Sequence, residues 1–203
     1  MRNRWLEKRL STHPRVLNVL HRLRLVEAIS QTNEAELSAL ANYARDTRLA
    51  LEIGSFQGVS TAKIATNMPV EGILYCVDPW LNRNSHRNPC LEIFERHTCR
   101  IGISHKLRII QDLSKNVLHR LPAEFDLIFV DGDHSLRGIS SDWVLVKKKL
   151  RHGGIVCLHD VLIPSSEPWR RFDSTDYFET VIQNDPEFQT LDQVHSLVVL
   201  RRS

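Results

Sequence analysis

Short apolar runs alternate with amphipathic stretches from residue 49 onward, and this alternation predicts β-strands connected by α-helices. Continuous apolar runs are typical of strands that are buried on both faces of a sheet. The predicted strands are residues 49–53, 72–77, 107–110, 125–130, 155–158 and 196–200. The predicted helices are residues 60–67, 91–101, 113–121, 139–150 and 176–183. The pattern therefore predicts an α/β fold with a doubly wound, mostly parallel sheet and helices on both faces.

The N-terminal part of the chain follows a different pattern. Apolar residues recur at helical spacing from Val16 to Val26, and residues 34–44 form a second helical stretch. Residues 1–24 carry seven lysines and arginines but only one acidic side chain. We expect this basic helical extension to make a subunit contact, and thus a homo-oligomer, or to close over a ligand. Contact with an anionic membrane is its alternative role.

Residues 80–104 interrupt the alternation of strands and helices with a polar stretch and an additional helical segment. A long insertion at the carboxyl end of a strand is usually functional, and we predict a lid over a binding site here. The predicted organisation is an N-terminal extension at residues 1–45 and one domain at residues 46–203.

The composition of the 203 residues is that of an ordinary soluble domain, with 42% hydrophobic and 25% charged residues. No apolar run approaches the roughly 20 residues that a membrane-spanning helix needs. The net charge of +3 is too small to indicate nucleic-acid binding. Because the four cysteines form no CxxC pair and no signal-peptide pattern opens the chain, we expect a cytoplasmic protein with reduced thiols.

Acidic side chains stand at the ends of nearly all the predicted parallel strands. They are Glu52, Asp78, Asp112, Asp131 and Asp160. Ligands of open parallel sheets bind beyond the carboxyl ends of the strands, so this series predicts a binding site at that edge of the sheet.

The loop after the first predicted strand contains Gly54 and Gly58, which permit a tight turn and a close approach to a ligand. Asp78 follows Gly58 by 20 residues, the usual place of an acidic residue that binds ribose hydroxyls. Phe56 replaces the middle glycine of GxGxxG, and no phosphate-binding GxxxxGK[ST] motif is present. The loop therefore suits a nucleoside without phosphates, although the glycines taken alone are equally consistent with ordinary turns.

The stretches LEIGSFQGVSTAKIA, ILYCVDPW, IIQDLS, FDLIFVDGDHS and GGIVCLHDV resemble class I S-adenosylmethionine-dependent methyltransferases over residues 48–162. The combination of VDGDHS and HDV is most similar to the branch of small-molecule O-methyltransferases that includes the macrocin type, with catechol O-methyltransferase more distant. The resemblance implies a Rossmann-like sheet of seven strands whose last hairpin is reversed.

The resemblance also implies an S-adenosylmethionine site. Gly54 and the loop to Gly58 would pass the methionine part, Asp78 would bind the ribose, and the residues after the third strand would border the adenine. Trp80 is placed to pack on the adenine, with burial in the core as its alternative role. The implied cofactor-binding residues are Glu52, Gly54, Ser55, Gly58, Ser60, Asp78, Trp80, Gln111, Asp112, Leu113 and Asp131.

In the resembling sugar methyltransferases, the positions of Asp131 and His134 bind a divalent metal and act as the general base, respectively. A neutral histidine is also the side chain best suited to take a hydroxyl proton near pH 7. The alternative is that His134 is a turn residue bonded to Asp131 or Asp133. The predicted catalytic residues are His134 and Asp131.

The predicted metal ligands are Asp131, His159 and Asp160. The family places two acidic residues after the fifth strand, and this chain has His159 at the first of these positions. Carboxylate oxygens suit Mg²⁺, whereas an imidazole nitrogen favours Mn²⁺, Fe²⁺ or Zn²⁺. In the alternative, metal-free site, His159 would be a spectator.

These observations predict an S-adenosylmethionine-dependent O-methyltransferase that acts on a hydroxyl of a sugar, phenol or natural-product molecule. One alternative is a nucleic-acid methyltransferase, but neither an Asn/Asp-Pro-Pro-Tyr/Phe motif nor a Pro-Cys nucleophile follows the fourth predicted strand. The other alternative is a relative of the same fold that binds the cofactor without transferring a methyl group.

Overall fold

The computed structural model describes residues 12–81 and 87–203. Seven strands form one sheet, and their bounds follow in chain order. They are β1 (Leu49–Ile53), β2 (Ile73–Asp78), β3 (Leu107–Gln111), β4 (Phe125–Val130), β5 (Leu150–Leu158), β6 (Phe188–Val194) and β7 (Leu197–Arg202). The strand order is β3-β2-β1-β4-β5-β7-β6.

Strands β1 to β5 are parallel, and β1 lies between β2 and β4. Strand β7 pairs antiparallel with β5 and forms an antiparallel hairpin with β6. Strands β2 and β3 therefore lie on one side of β1, and β4 and β5 lie on the other side. Open α/β sheets bind ligands at the point where the strand order switches sides in this way. This topology confirms the prediction of a Rossmann-like, mostly parallel seven-stranded sheet with a reversed last hairpin.

Helices cover both faces of the sheet. They are α1 (Pro14–Arg22), α2 (Glu34–Tyr43), α3 (Val59–Asn67), α4 (Pro89–Ile101), α5 (Ser114–Val117), α6 (Leu136–Lys149) and α7 (Asp173–Tyr177), which continues as the π-helical turn Phe178–Ile182. Short 3₁₀ turns lie before β3, at Ser104–Lys106, and before β4, at Leu118–Arg120. None of the helices in the described residues is long and apolar enough to cross a lipid bilayer.

Two apolar layers flank the sheet. Helices α1 to α4 bury side chains such as Leu37, Ile64 and Phe94 against one face. On the other face, Trp143 and Val146 of α6 pack with the strands. Because α2 shares the first layer with α3 and α4, the predicted N-terminal extension is packed into the same core as the sheet.

Most of the predicted lid is helix α4, whose Leu91, Ile93 and Phe94 are buried. Asn88 accepts hydrogen bonds from the first backbone amides of this helix and begins it. Residues 82–86 of the predicted lid lie outside the described residues, as do residues 1–11 of the basic extension.

Helix α1 packs on α4 through the buried Leu17 and His21. His21 has no accessible surface, and neither of its ring nitrogens has a hydrogen-bond partner within the described residues. Burial, assisted by the nearby positive charge of Arg100, lowers the pKa of His21 to about 4. The imidazole is therefore neutral at physiological pH.

Candidate active site

A cavity of about 520 Å³ opens at the carboxyl ends of the parallel strands. Its walls are the loops that follow β1, β2, β3 and β4, together with the segment between α1 and α2. The lining includes Gly54, Ser55, Ser60, Asp78, Leu113, Asp131, His134 and Asp142. The structure thus brings the ends of β1, β2, β3 and β4 around one cavity, whereas His159 and Asp160 at the end of β5 are not part of its lining.

The loop after β1 approaches the end of β4 so closely that only glycine fits at position 54. Gly54 has a φ of +90°, and a Cβ atom there would lie 1.9 Å from the carbonyl oxygen of Asp131. The backbone amide of Asp131 in turn donates to the carbonyl of Ile53 at 2.8 Å. The geometry of the loop after β1 and the position of Asp131 are therefore coupled through backbone contact.

Glu52 lies beneath this loop and is fully buried. Its carboxyl group accepts hydrogen bonds from the hydroxyls of Ser55, Ser60 and Thr61. Burial raises its pKa to about 7 in spite of these three bonds. Glu52 does not line the cavity, so it braces the loop from below, and Ser55 and Ser60 point their hydroxyls toward it.

Asp78 stands at the end of β2 and lines the cavity. Its two oxygens accept the backbone amides of Phe56 at 2.9 Å and of Trp80 at 2.7 Å, which fix the carboxylate in orientation. Burial raises its pKa. A carboxylate held in this way, with lone pairs left facing the cavity, suits a pair of ribose hydroxyls.

Besides Glu52 and Gly58, three predicted cofactor residues lie outside the cavity lining. Trp80 is only 3% exposed, its ring packs edge-on against Phe94, and its indole N–H donates to the carbonyl of Phe56. The expectation that Trp80 packs on adenine is thus corrected, because the ring belongs to the core under the loop. Gln111 donates to the Trp80 carbonyl, and Asp112 accepts the amide of Leu113, so both shape the turn beside Leu113.

Asp142 of α6 is a cavity residue that the sequence interpretation missed. Its carboxyl group accepts a hydrogen bond from the Ser114 hydroxyl at 2.5 Å, and burial raises its pKa to about 6. The signal was present in the chain: Asp142 shares a helical face with the buried Ile139, Trp143 and Val146. A lone carboxyl group on an apolar helical face indicates a buried polar contact.

His134 lines the cavity beyond β4, with its side chain 27% exposed. Its Nε2 atom lies 3.6 Å from Asp131 Oδ1 and 3.7 Å from Asp160 Oδ2. Asp133 accepts the backbone amide of Ser135 and so caps the turn rather than holding the imidazole. The ring nitrogen of His134 therefore faces two carboxylates and remains accessible from the cavity.

His159 at the end of β5 lies behind this pair and is buried. Its Nδ1 is 2.9 Å from Asp131 Oδ1, and its Nε2 is 3.3 Å from Glu36 Oε2. Burial acts to lower the pKa of His159, but the hydrogen bonds with Asp131 and Glu36 outweigh it and raise the pKa. Glu36 shows the converse: burial acts to raise its pKa, and its bonds with His159 lower it.

Glu36 is the second residue that the sequence interpretation missed. It is fully buried, and its Oε1 accepts the backbone amide and the hydroxyl of Ser196 at 3.0 and 2.7 Å. Its Oε2 also accepts the amide of Asn33 in a capping box at the start of α2. The only local signal was this capping box, which accounts for a glutamate at that position without any role in a site.

The side chains around Asp131 fit a divalent metal. Ligand atoms of Asp131, His134 and His159 all lie within 4.8 Å of one another. Asp160 Oδ2 is paired with Arg170 at 2.8 Å, but its buried Oδ1 has no hydrogen-bond partner among the described residues and lies 3.7 Å from His159 Nδ1. An orphaned buried carboxylate oxygen beside an imidazole nitrogen is what an ion would satisfy, although Asp160 is not one of the three side chains that share the 4.8 Å group. Glu36 would then hold the other nitrogen of His159, as carboxylates commonly do for metal-bound histidines.

Comparison with known proteins agrees with this geometry. A family model described as a methyltransferase domain matches residues 51–161, which is more than half of the chain. The chain belongs to this methyltransferase family. The resemblance to class I S-adenosylmethionine-dependent methyltransferases is therefore confirmed at the level of the family.

Individual relatives of this methyltransferase are distant. A Dictyostelium discoideum protein named as a probable caffeoyl-CoA O-methyltransferase is 24% identical over 143 residues, which are 66% of this chain and 52% of that protein. The chain spans about half the length of the curated relatives it matches.

Among solved structures, the O-methyltransferase TomG from Streptomyces achromogenes, in complex with S-adenosylmethionine, has a TM-score of 0.64 and 19% identity. The match covers 91% of this chain and 86% of TomG. An O-methyltransferase from Bacillus cereus, in complex with S-adenosylhomocysteine, has a TM-score of 0.66 and 19% identity, over 95% of this chain and 91% of that one. These likenesses establish the fold.

Proposed function

We propose that this methyltransferase transfers the methyl group of S-adenosylmethionine to a hydroxyl of a small molecule. The observation that carries the proposal is His134, whose Nε2 faces the cavity between Asp131 and Asp160 at 3.6 and 3.7 Å. An imidazole held beside two carboxylates is a general base for a hydroxyl proton, since the carboxylates stabilise the imidazolium that forms.

In this proposal, the cofactor binds along the strand ends. Asp78 accepts the ribose hydroxyls, the Gly54–Gly58 loop passes the methionine part, and Leu113 borders the adenine. Asp142 lies in the same wall and would accept a hydrogen bond from a donor on the base. S-adenosylmethionine supplies an activated methyl group on a sulfonium, so the protein mainly has to position the acceptor and remove its proton.

In the proposed reaction, the residues of the site account for each bond that forms or breaks and for the proton. The acceptor oxygen forms a bond to the methyl carbon as the carbon–sulfur bond breaks, and the hydroxyl proton passes to His134 Nε2. Asp131 and Asp160 stabilise the resulting positive charge on the ring. The leaving group is neutral S-adenosylhomocysteine, and the proton on His134 returns to solvent through the open side of the cavity.

We further propose that Asp131, His159 and Asp160 hold a divalent ion, for which Mg²⁺, Mn²⁺ and Fe²⁺ are the candidates. The support is the orphaned Asp160 Oδ1, which lies 3.7 Å from His159 Nδ1. Bound there, such an ion would lower the pKa of a coordinated acceptor hydroxyl and orient it.

The acceptor class is drawn from the relatives. The Dictyostelium relative is named for caffeoyl-CoA, and TomG is described as involved in tomaymycin synthesis. Phenolic hydroxyls are therefore the first acceptors to test, with sugar hydroxyls next. The ring of Phe172 lies 5.3 Å from that of His134 and offers an aromatic acceptor an apolar contact.

The test is an acceptor screen that measures S-adenosylhomocysteine release, followed by His134→Ala on a verified acceptor. A general base contributes typically 10²–10⁴-fold, so we expect turnover to fall by that factor with little change in the affinity for S-adenosylhomocysteine. His119→Ala, at an exposed histidine, serves as the matched control. We expect EDTA to inhibit, and Mn²⁺ or Fe²⁺ to restore activity at least as well as Mg²⁺.

The outcomes separate the parts of the proposal. Full activity in EDTA with an inactive His134→Ala variant leaves a base mechanism without a metal. Full activity of both His134→Ala and Asp131→Asn refutes the active site. Tight cofactor binding without transfer to any acceptor supports the non-catalytic alternative, and salt-dependent submicromolar binding to tRNA supports the nucleic-acid alternative.

Self-association and location remain proposals of the same kind. Val16, Val19, Leu23 and Leu25 on and after α1 are exposed apolar side chains, and we propose that they pair two copies of the chain, which light scattering would show.

None of the four cysteines forms a disulfide, which supports action in the reducing cytoplasm; a fluorescent fusion tests this.

A further inference from the structure

A second group of metal-ligating side chains lies outside the cavity, where α1 packs on α4. It consists of His21 on α1, Glu27 in the segment after α1, and His97 on α4. One ligand atom from each residue lies within 4.8 Å of the other two, and the two imidazole rings are 6.4 Å apart in an edge-on arrangement. We name this group the α1–α4 cluster.

His21 carries the argument. A fully buried imidazole normally has hydrogen-bond partners, and a buried polar group without one requires an explanation such as an ion. Both ring nitrogens of His21 lack a partner within the described residues. The side chain nevertheless points toward a second imidazole and a carboxylate, which are strong ligands for a divalent transition metal.

We propose that His21, Glu27 and His97 bind a divalent transition metal ion, and that this ion links α1 to α4. Two imidazole nitrogens and one carboxylate oxygen form a ligand set that suits Zn²⁺. Glu27 is exposed, which leaves room for water as a fourth ligand and gives the ion a path from solvent.

Two arginines lie beside the cluster, and their positive charges disfavour the binding of a cation there. Arg100 donates to the backbone carbonyls of His21 and Arg22, and Arg96 binds the side chain of Asn18. Both guanidinium groups therefore point at other partners, but their charges remain near the cluster. The carboxylate of Glu27 must offset them, so metal affinity should depend on the charge of Glu27 and not merely on its shape.

The α1–α4 cluster lies next to a segment that forms part of the cavity wall. Glu27 precedes Ile29 by two residues, and Ile29 to Gln31 form part of the cavity wall. The ion would join residues 21–27 to the distant helix α4 and hold this part of the wall against it. We therefore expect metal binding to stabilise the folded protein and to leave the chemistry at His134 unaffected.

The experiment is a Zn²⁺ titration in competition with a chromophoric chelator, together with thermal unfolding at the same Zn²⁺ concentrations. His97→Ala and Glu27→Gln are the test variants, because both positions retain solvent contact and should fold. We expect each to weaken Zn²⁺ binding at least tenfold and to remove the rise in melting temperature that Zn²⁺ gives the parent. His105→Ala and Cys99→Ser, at exposed positions outside the cluster, are the matched controls and should bind as the parent does.

A second series in an Asp131→Asn, Asp160→Asn background removes ions bound at the active site. The proposal requires that one Zn²⁺ remain bound in that background and be lost on adding His97→Ala. Zn²⁺ binding that survives both His97→Ala and Glu27→Gln refutes the proposal, as does a parent protein that binds no Zn²⁺ beyond the active site.

Discussion

Replacing Gly54 by alanine tests the coupling between the cofactor loop and Asp131. An added Cβ would lie 1.9 Å from the Asp131 carbonyl oxygen and 2.6 Å from its carbonyl carbon, distances that real Cβ atoms do not show. The obstacle is backbone, which cannot swing aside as a flexible side chain would. Either the loop after β1 or the end of β4 must therefore move by more than an ångström.

Gly102 provides a matched control, because it also has a left-handed φ, of +83°, but no atom lies within 4 Å of its added Cβ. The left-handed backbone alone costs an L-residue roughly 1–2 kcal/mol, and this cost applies to both alanine variants. Overpacking adds about 1–3 kcal/mol at Gly54 only. We expect Gly54→Ala to lose roughly 2–5 kcal/mol of stability, and Gly102→Ala roughly 1–2 kcal/mol.

The assays are urea denaturation and calorimetric titration with S-adenosylhomocysteine. At about 2–4 °C per kcal/mol for a domain of this size, Gly54→Ala should melt on the order of 10 °C lower than the parent. It should bind S-adenosylhomocysteine at least tenfold more weakly, whereas Gly102→Ala should bind normally. Equal stability and equal affinity of the two variants would show that the loop is not held against Asp131 as described.

Three further outcomes follow from the site. Asp78→Asn should weaken S-adenosylhomocysteine binding by about 10- to 150-fold, the loss of a charge-assisted contact, while Asp112→Asn should leave the calorimetric affinity unchanged. Glu52 has a pKa of about 7 in the folded protein, above its ordinary value of 4.5, so the neutral form is favoured by folding and stability should fall as pH rises from 4.5 through 7. That fall should reach up to about 3 kcal/mol in the cofactor-free protein and should be largely absent in Glu52→Gln, as urea denaturation at pH 5 and pH 8 would show. A gel-shift titration with tRNA at physiological salt should show no submicromolar binding.

The sequence predicted most of each parallel strand because most of their residues are apolar, but it missed the start of β5, where Arg151 and His152 interrupt the apolar run. It did not predict β6, whose apolar residues Phe188, Leu191 and Val194 are spaced by three rather than two. In the structure, Phe188 packs with one apolar layer, and Leu191 and Val194 pack with the other. A shift in the pairing register between Thr190 and Asp192 changes which face the later residues of the strand occupy. The seven-stranded count came from the family resemblance and not from the pattern of this segment.

The site was predictable where its residues follow strands directly, as for Asp78, Asp131 and His134, because strand ends share one edge of the sheet. Trp80 was less predictable, since the left-handed backbone at that residue turns its ring into the core and away from the cavity. Asp142 and Glu36 lie within helices, where sequence shows which face is buried but not what that face contacts. Their contacts depend on how α6 and α2 lie on the sheet.

The hydrogen bonds of Glu36 bear on the order in which the chain is made. Glu36 and Ser196 are separated by 160 residues, so the buried carboxylate has no complete set of partners until the last hairpin leaves the ribosome. Domains generally fold as units during synthesis, but here an early helix waits for nearly the whole chain. Until then, Glu36 Oε2, which contacts His159, is held by the capping-box bond from Asn33, but Oε1 lacks its partners on Ser196. A nascent chain that stops short of residue 196 would thus carry the loop after β1 and His134, while the carboxylate behind His159 is only partly bonded.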